Sequence, residues 1–375
     1  MDKLKLFIIA GEKSGDNHAS AMVRELKKIC DVEFAGTGGA GLKELGQKQF
    51  YDINDMNAIG IDEALRKLPF LFKVKDKLIA EMKADRPDAV ILVDYPGFNL
   101  RFARYAKELG IPVIFYISPT FWAWNYKRVH KLRQFCDLVL CIYPFEPELL
   151  KKEGVNASYV GNPLKGQINI KCADNGEFLE KGHFDGEKPV IGLLPGSRRR
   201  EVESLLPLMV QTSKLLPQYD YVVGVADTID EKRVRELIKG TNIRLATGLT
   251  HDIMKYSHLL WICSGTATLE AAIIGTPMVL LYKTGTLTYM LGQLLFRLKF
   301  IGMPNIIMKR AVIPELIQGD ANVRALANFT KKIEENYETV RNDLASVGSY
   351  FPDTDSSADT AAEIYSFLKD LKKGN

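Results

Sequence analysis

Three stretches of the chain end an apolar run on residues that can do chemistry. In "AVILVDYPGFN" (89–99) the run stops at Asp94, and Pro96 and Gly97 break it before Phe98 and Asn99. A carboxylate closing a buried strand is partly desolvated, which raises its pKa and suits it to take a proton. The competing use is capping the next helix or pairing with an arginine. In "VIGLLPGSRRREVESLLPLM" (190–209) a strand gives way to Pro195, Gly196, Ser197 and Arg198 at a helix start. The Gly196 and Ser197 amides beside the Arg198 guanidinium suit phosphate oxygens, although a solvated turn with a basic helix start has the same composition. In "HLLWICSGTATLEAAIIGTP" (258–277) a strand ends at Cys263, and Ser264, Gly265 and Thr266 open a helix of small residues. Their hydroxyls and amides form an anion cradle at the carboxyl end of a strand. Glu270, four residues past Thr266, lies one helical turn on and faces the same ligand. A carboxylate there accepts from the vicinal hydroxyls of a ribose, so the C-terminal half is expected to hold a nucleotide diphosphate.

Two glycine-rich turns lie earlier. "DVEFAGTGGAGLKEL" (31–45) places Gly36, Gly38 and Gly41 in the G-x-G-x-x-G spacing of dinucleotide enzymes. That fingerprint belongs after the first strand of its unit, with an acid at the end of the second strand. Here it follows the second strand, and neither Asp55 nor Asp62 ends a β run. It reads as a turn allowing close backbone approach, not as a redox cofactor site. "AGEKSGD" (10–16) follows the first strand; either Ser14 or Asp16 caps a helix there, or Gly11 and Gly15 leave amides open to a ligand. It lacks the G-K-[ST] ending of a Walker A loop. Trp122 and Trp124, just after another strand, either floor a sugar or acyl pocket or fill core.

The elements that must position these residues follow from short apolar runs alternating with helical patterns. "LKLFIIAG", "VEFAG", "DAVILVDYPG", "IPVIFYIS" and "CDLVLCIY" read as buried strands, as do "VIGLLPGS", "YDYVVGVA", "IRLATG", "HLLWICSG" and "PMVLLYKT" further on. The βαβα order implies an α/β fold with parallel sheets covered on both faces. The polar stretch 165–189 separates two such domains, 1–165 and 188–350, and an amphipathic helix in 351–375 packs on one or the other. The length of 375 residues, with 46% hydrophobic and 26% charged, suits two globular domains. A net charge of +4 with no run of five like charges argues against a dedicated nucleic-acid binder. The five scattered cysteines and five histidines form no metal-ligand spacing, and the cysteines read as buried free thiols in a reducing cytosol. The N-terminal apolar stretch is too short for a signal peptide, and no transmembrane span is expected.

Ten segments in order resemble the lipid-A-disaccharide synthase family (glycosyltransferase family 19): "GEKSGD", "GTGGAG", "VDYPGFN", "YISPTFWAWNYKRV", "PFE" (144–146), "YVGNPL", "LLPGSR", "SGTATLE", "PMVLLYK" and "GMPNII" (302–307). The resemblance implies a glycosyltransferase B fold of two Rossmann-like domains, with the active site in the interdomain cleft and no cofactor or metal. It implies UDP-2,3-diacylglucosamine as donor and 2,3-diacylglucosamine 1-phosphate as acceptor. Transfer with inversion would give the β-1,6-linked disaccharide 1-phosphate and UDP. It places catalytic roles on Asp94 as base, on Arg198 and on Asn305. Nucleotide binding falls on Gly196, Ser197, Arg198, Ser264, Gly265, Thr266 and Glu270. The acceptor side falls to Gly11, Ser14, Gly15, Asp16, Gly38, Gly39, Asn99, Trp122 and Trp124. The chain departs from the family at Asn162, where histidine is frequent, and at Lys13, where small or short polar residues are common. Asp353 and Asp355 form a D-x-D just before the last helix and read as helix caps, not metal ligands.

Acylated substrates require contact with a bilayer. In "EALRKLPFLFKVKDKLIAEM" (63–82), Leu68, Phe70, Leu71, Phe72 and Lys73 set apolar side chains beside cations, suited to an anionic inner-membrane surface. A helix pair with a solvated basic face is the alternative. The stretch 287–303 is open to core, homodimer contact or membrane. The expected location is cytoplasmic and peripheral to the inner membrane. Rival readings are a UDP-N-acetylglucosamine 2-epimerase-like isomerase or another UDP-sugar transferase of the same fold, a hydride-transfer oxidoreductase, and a non-catalytic lipid-binding module.

Overall fold

The computed structural model describes residues 3–56, 61–284 and 299–374, excluding the side chains of residues 61–68, 124 and 374. The chain divides into two compact units, Met1–Pro163 with Asp353–Asn375, and Leu164–Pro352.

In the first unit, β1 (Lys3–Ala10), β2 (Asp31–Gly38), β3 (Lys48–Asp52), β4 (Ala89–Val93), β5 (Val113–Tyr116), β6 (Leu138–Cys141) and β7 (Ala157–Tyr159) form one sheet. Its order is β3-β2-β1-β4-β5-β6-β7 and every pairing is parallel. Strand residues alternate between two cores, as the two-residue period requires. Leu4, Leu6, Ile8 and Ala10 of β1 face one side, and Phe7 and Ile9 face the other. The first side is covered by helix Lys13–Ile29 and by the last helix, Ser356–Gly374, through Ala361, Ile364 and Leu368. The second is covered by helices Ile61–Ala84 and Pro96–Glu108, through Val74, Leu78, Phe102 and Ala106. The last helix therefore packs on the first unit. Asp355 caps its start, accepting from the Ser357 and Ala358 amides at 3.0 and 3.2 Å.

In the second unit, β8 (Val190–Leu194), β9 (Asp220–Val225), β10 (Arg244–Thr247), β11 (Leu259–Cys263), β12 (Met278–Tyr282) and β13 (Glu315–Ile317) pair in parallel in the order β10-β9-β8-β11-β12-β13. The polar stretch 165–189 is not a free boundary segment. It belongs to this unit, with Phe178 buried and stacked on Tyr256 at 5.6 Å. The Lys171 and Cys172 amides donate to buried Asp252 at 2.8 and 2.6 Å. All five cysteines are buried free thiols. Among the described residues no helix is long and apolar enough to cross a membrane, and no cluster of three or more metal-ligating side chains occurs.

Both sheets reverse direction of winding between two adjacent inner strands, β1 and β4 in one, β8 and β11 in the other. Chains leaving those strands diverge, which opens a crevice at their carboxyl ends, the usual ligand position in such sheets. The turns at these points are "GEKSGD" and "DYPGFN" in the first unit, and "PGSR" and "SGT" in the second.

Candidate functional sites in the two units

At the end of β4, Asp94 and Tyr95 both take left-handed backbone, φ 47° and 48°. Two consecutive non-glycine residues there are strained, and the surroundings must hold them. The Asp94 amide donates to Tyr116 O at 2.9 Å. Asn99, wholly buried, donates from Nδ2 to the carbonyls of Asp94, Val93 and Ile9 at 2.7, 3.2 and 3.4 Å. Asn99 thus braces the turn from within instead of lining a ligand surface. Gly11 is required by the same turn, because a Cβ there would lie 2.3 Å from Tyr95 Cδ1. Burial pushes the Asp94 carboxyl up to about 6, and the like charge of Glu12 adds to the rise; the Tyr95 amide and the Arg128 guanidinium pull it partway back. The carboxyl is therefore poised to accept a proton near neutral pH.

The glycine fingerprint is occupied from inside the protein. Asp16 Oδ1 accepts from the Gly39 and Leu42 amides at 2.7 and 3.2 Å, and Oδ2 accepts from Gly41 at 3.0 Å. Its carboxylate stands where a dinucleotide enzyme would hold a phosphate, at the start of helix Ala40–Glu44. Gly38, Gly39 and Asp16 are buried, so the expectation that they face the acceptor is corrected: they tie the 13–29 helix to β2. Gly36 has φ +140° and a Cβ would meet Ile8 O at 2.0 Å, the close backbone approach that this turn requires. Neither Ser14 nor Asp16 caps the 13–29 helix. The cap is Glu12, with Ser14 exposed in the first turn, and at Gly15 an added Cβ would lie 3.5 Å from Val93 O, an ordinary contact, so that turn does not demand glycine there.

Trp122 is half-buried beyond β5, donating from Nε1 to Glu146 Oε1 at 2.9 Å. Its ring meets those of Phe145 and Tyr143 edge-on, at 5.1 and 6.0 Å. Glu146 is wholly buried, and burial pushes its carboxyl up to about 8. Sequence reasoning assigned it no role; its signal is a carboxylate between Phe145 and Pro147 directly after an apolar strand. The Trp124 side chain lies outside the described residues. Asn162 donates from Nδ2 to Ile142 O at 3.1 Å.

In the second unit a groove of about 250 Å³ is lined by Gly196, Ser197, Arg198, Ser264, Gly265 and Thr266, among others. The structure therefore brings two separately predicted turns to one surface. Their amides are less free than expected. Glu201 Oε2 accepts from the Ser197 and Arg198 amides, both at 3.1 Å, and Oε1 lies 3.0 Å from Arg198 Nη1. The Ser264 amide is spent on Leu281 O at 3.0 Å. Gly196 has φ +119°, and a Cβ there would press on Glu201 at 2.4 Å. Arg198 itself is open, its side chain 81% exposed. The groove thus offers an accessible guanidinium and the Ser264 and Thr266 hydroxyls more than a ring of vacant amides.

Two expected contacts are not found there. Glu270 does not line the groove; its Oε2 lies 3.6 Å from His251 Nε2, while His251 Nδ1 accepts from the Asn169 amide at 3.1 Å. The hydrogen bond to Glu270 raises the His251 pKa. Asn305 is wholly buried. Its Oδ1 accepts from the Val312 and Ile313 amides at 2.7 and 3.0 Å, and Nδ2 donates to Ile313 O and Glu315 Oε1 at 2.9 and 2.7 Å. With both ends of the amide engaged, it braces the 302–315 segment and presents nothing to a substrate. Of the stretch expected at a membrane, Phe70 packs against the core with its ring edge-on to Tyr51 at 5.7 Å. Leu71 is half-buried, whereas Phe72, 58% exposed, and Lys73 point to solvent. The Leu68 side chain lies outside the described residues.

Residues 6–352 match the sequence pattern of the lipid-A-disaccharide synthetase family. The chain is 37% identical over 327 residues to a lipid-A-disaccharide synthase of Nitrosococcus oceani, covering 85% of this chain and 84% of that one. A Coxiella burnetii lipid-A-disaccharide synthase is 32% identical over 371 residues, covering 97% and 98%. Among solved structures, a putative UDP-N-acetylglucosamine 2-epimerase from Listeria monocytogenes superposes with TM-score 0.65 at 16% identity, covering 100% of this chain and 98% of that one. Acinetobacter baumannii MurG gives 0.60 at 15% identity, covering 98% and 100%. At these identities the structural likenesses show the fold, that of glycosyltransferase B proteins.

Proposed function

The chain belongs to the lipid-A-disaccharide synthase family and is a glycosyltransferase, and from that premise we propose the roles its own residues take. The donor is UDP-2,3-diacylglucosamine and the acceptor 2,3-diacylglucosamine 1-phosphate. Asp94 takes the proton from the acceptor's 6-hydroxyl as its oxygen attacks the donor's anomeric carbon from the face opposite UDP. The bond from that carbon to the diphosphate breaks, and UDP leaves with the electron pair. Arg198 is the open cation of the second unit's groove and stabilises the charge that develops on the departing diphosphate. The Ser264 and Thr266 hydroxyls add hydrogen bonds to the same group. Glu270, steadied by His251, serves the ribose if the nucleotide extends past the cradle along its helix.

The observation that carries this reading is Asp94 itself. It stands at a sheet's switch point, in a strained turn, with its carboxyl raised to about 6. Exposed Phe72 and Lys73, with Lys75 5.4 Å from the Phe72 ring, are the proposed contact with an anionic bilayer that presents the acylated substrates. The test is incubation with both acylated sugars in detergent while UDP release is followed, with Asp94→Asn as control. Release by the wild type and its loss in the variant are expected. No release with both substrates present refutes the reading.

A further inference from the structure

Glu146 is the one wholly buried carboxyl of the first unit's aromatic cluster that the proposed chemistry does not use. A buried carboxyl without a counter-charge is costly, and among the described residues no ion pair to Glu146 is found. Its carboxylate accepts from Trp122 Nε1 at 2.9 Å and from the Tyr143 amide at 3.3 Å, with the Ile142 amide also bonded to it. Cys141 and Tyr143 are the titratable groups that feel its charge, and burial raises both further. Tyr143 also feels the charge of Asp94, which places the cluster beside the proposed base. The elements agree, since Asp94, the Trp122 turn and Tyr143 follow the carboxyl ends of the adjacent strands β4, β5 and β6.

We propose that Glu146 is a positioning residue for the transfer reaction: through its bond to the Trp122 indole it fixes the aromatic wall against which the acceptor sugar rests beside Asp94. This rests on the reading of Asp94 as the acceptor's base. A pyranose packs its C–H face on an aromatic ring, and a ring held in one orientation presents the attacking hydroxyl to the carboxylate in one orientation. Trp122 is half-buried, whereas Glu146 is wholly buried and can act only through the groups bonded to it.

The test combines Glu146→Gln, Glu146→Leu and Trp122→Phe in the full-length protein. Gln keeps an acceptor oxygen for the indole, and Leu removes it. Glu146→Gln is expected within about threefold of wild type. Glu146→Leu is expected to raise the acceptor KM about tenfold while leaving the donor KM unchanged. Added to Trp122→Phe, it should cost less than about twofold more, because the two act as a unit. The Trp122 indole N–H, assigned by its loss from the ¹⁵N spectrum of Trp122→Phe, is expected to exchange slowly in wild type and Glu146→Gln. An active wild type with additive losses, or with a wild-type acceptor KM in folded Glu146→Leu, overturns the positioning role. Should Glu146→Leu not fold, a freely exchanging Trp122 N–H in the wild type overturns it instead, and slow exchange retained by Glu146→Gln supports it. A wild type that releases no UDP overturns the transfer reading and this role together.

Discussion

Replacing Asp94 by Asn should abolish transfer and stabilise the protein at once. The fold holds this carboxyl at about 6 against an ordinary 3.8, so the native state favours its protonated form. The sign follows from linkage: the favourable contribution is complete below 3.8 and is lost as pH rises through 6. At about 1.4 kcal/mol per pH unit, the ionised carboxylate destabilises the native state by about 3 kcal/mol at pH 8 and about half that at pH 5. Asn carries no charge, and it tolerates left-handed backbone as Asp does, so φ 47° adds no new strain. The variant should therefore gain up to ~3 kcal/mol at pH 8, roughly 6–12 °C in the transition of its unit, and about half as much at pH 5. Calorimetry at the two pH values measures it. Loss of the base should lower kcat by about 10²–10⁴-fold, and wild-type kcat/KM should fall as pH drops below about 6. An Asn variant that is destabilised, that gains equally at both pH values, or that keeps its kcat refutes the assignment of Asp94 as a desolvated base.

Three further outcomes separate the roles assigned above. Arg198→Ala should weaken UDP binding about 10–100-fold by titration calorimetry, as loss of a charge-assisted bond to a diphosphate requires. The melting temperature should barely move, because the pair with Glu201 is exposed on the arginine side. Asp16→Ala removes the acceptor of three amides and should cost about 2–4 kcal/mol in denaturant unfolding of the first unit, with UDP affinity unchanged. Asn305→Ala strands the Val312 and Ile313 amides and should cost a similar ~2–4 kcal/mol; a variant of wild-type stability with lowered kcat would instead put Asn305 in contact with substrate.

Most strands legible in the sequence were those with a continuous buried apolar run, although "IRLATG" was also legible and forms the half-exposed edge strand β10. β4 reads "AVILV" and β11 "LLWIC", each buried along its length. β3, β7 and β13 were not legible: "KQFYD", "ASY" and "ELI" lie at sheet edges or beside them, half-exposed, with no continuous apolar run to mark them. Asp94 was legible for the same physical reason as β4, since a charge that ends a buried strand has few places to go. Asn305 was singled out only through the family resemblance and Asn99 only for the acceptor side; neither was legible as a brace, because most of their partners are backbone groups that only the fold brings near. Glu146 escaped because burial of a carboxyl beside an indole leaves no periodicity.

The two glycine-rich turns show what pattern alone leaves open. Each sets amides at a helix start, and each receives a carboxylate from the chain itself, Asp16 at 39–42 and Glu201 at 197–198. They differ in what an incoming anion would meet. Asp16 is 4% exposed and bonded to three amides, and removing it would leave buried donors unpaired, so its turn is closed. Glu201 sits beneath Arg198, whose guanidinium is exposed and holds the carboxylate through one bond at 3.0 Å. A diphosphate can take over that guanidinium without unfolding anything, because Glu201 retains both amides. Whether a glycine turn can take a ligand anion therefore depends on the exposed cation beside it, and the G-x-G-x-x-G spacing at 36–41, which has only a buried carboxylate for company, is a joint between helix and sheet.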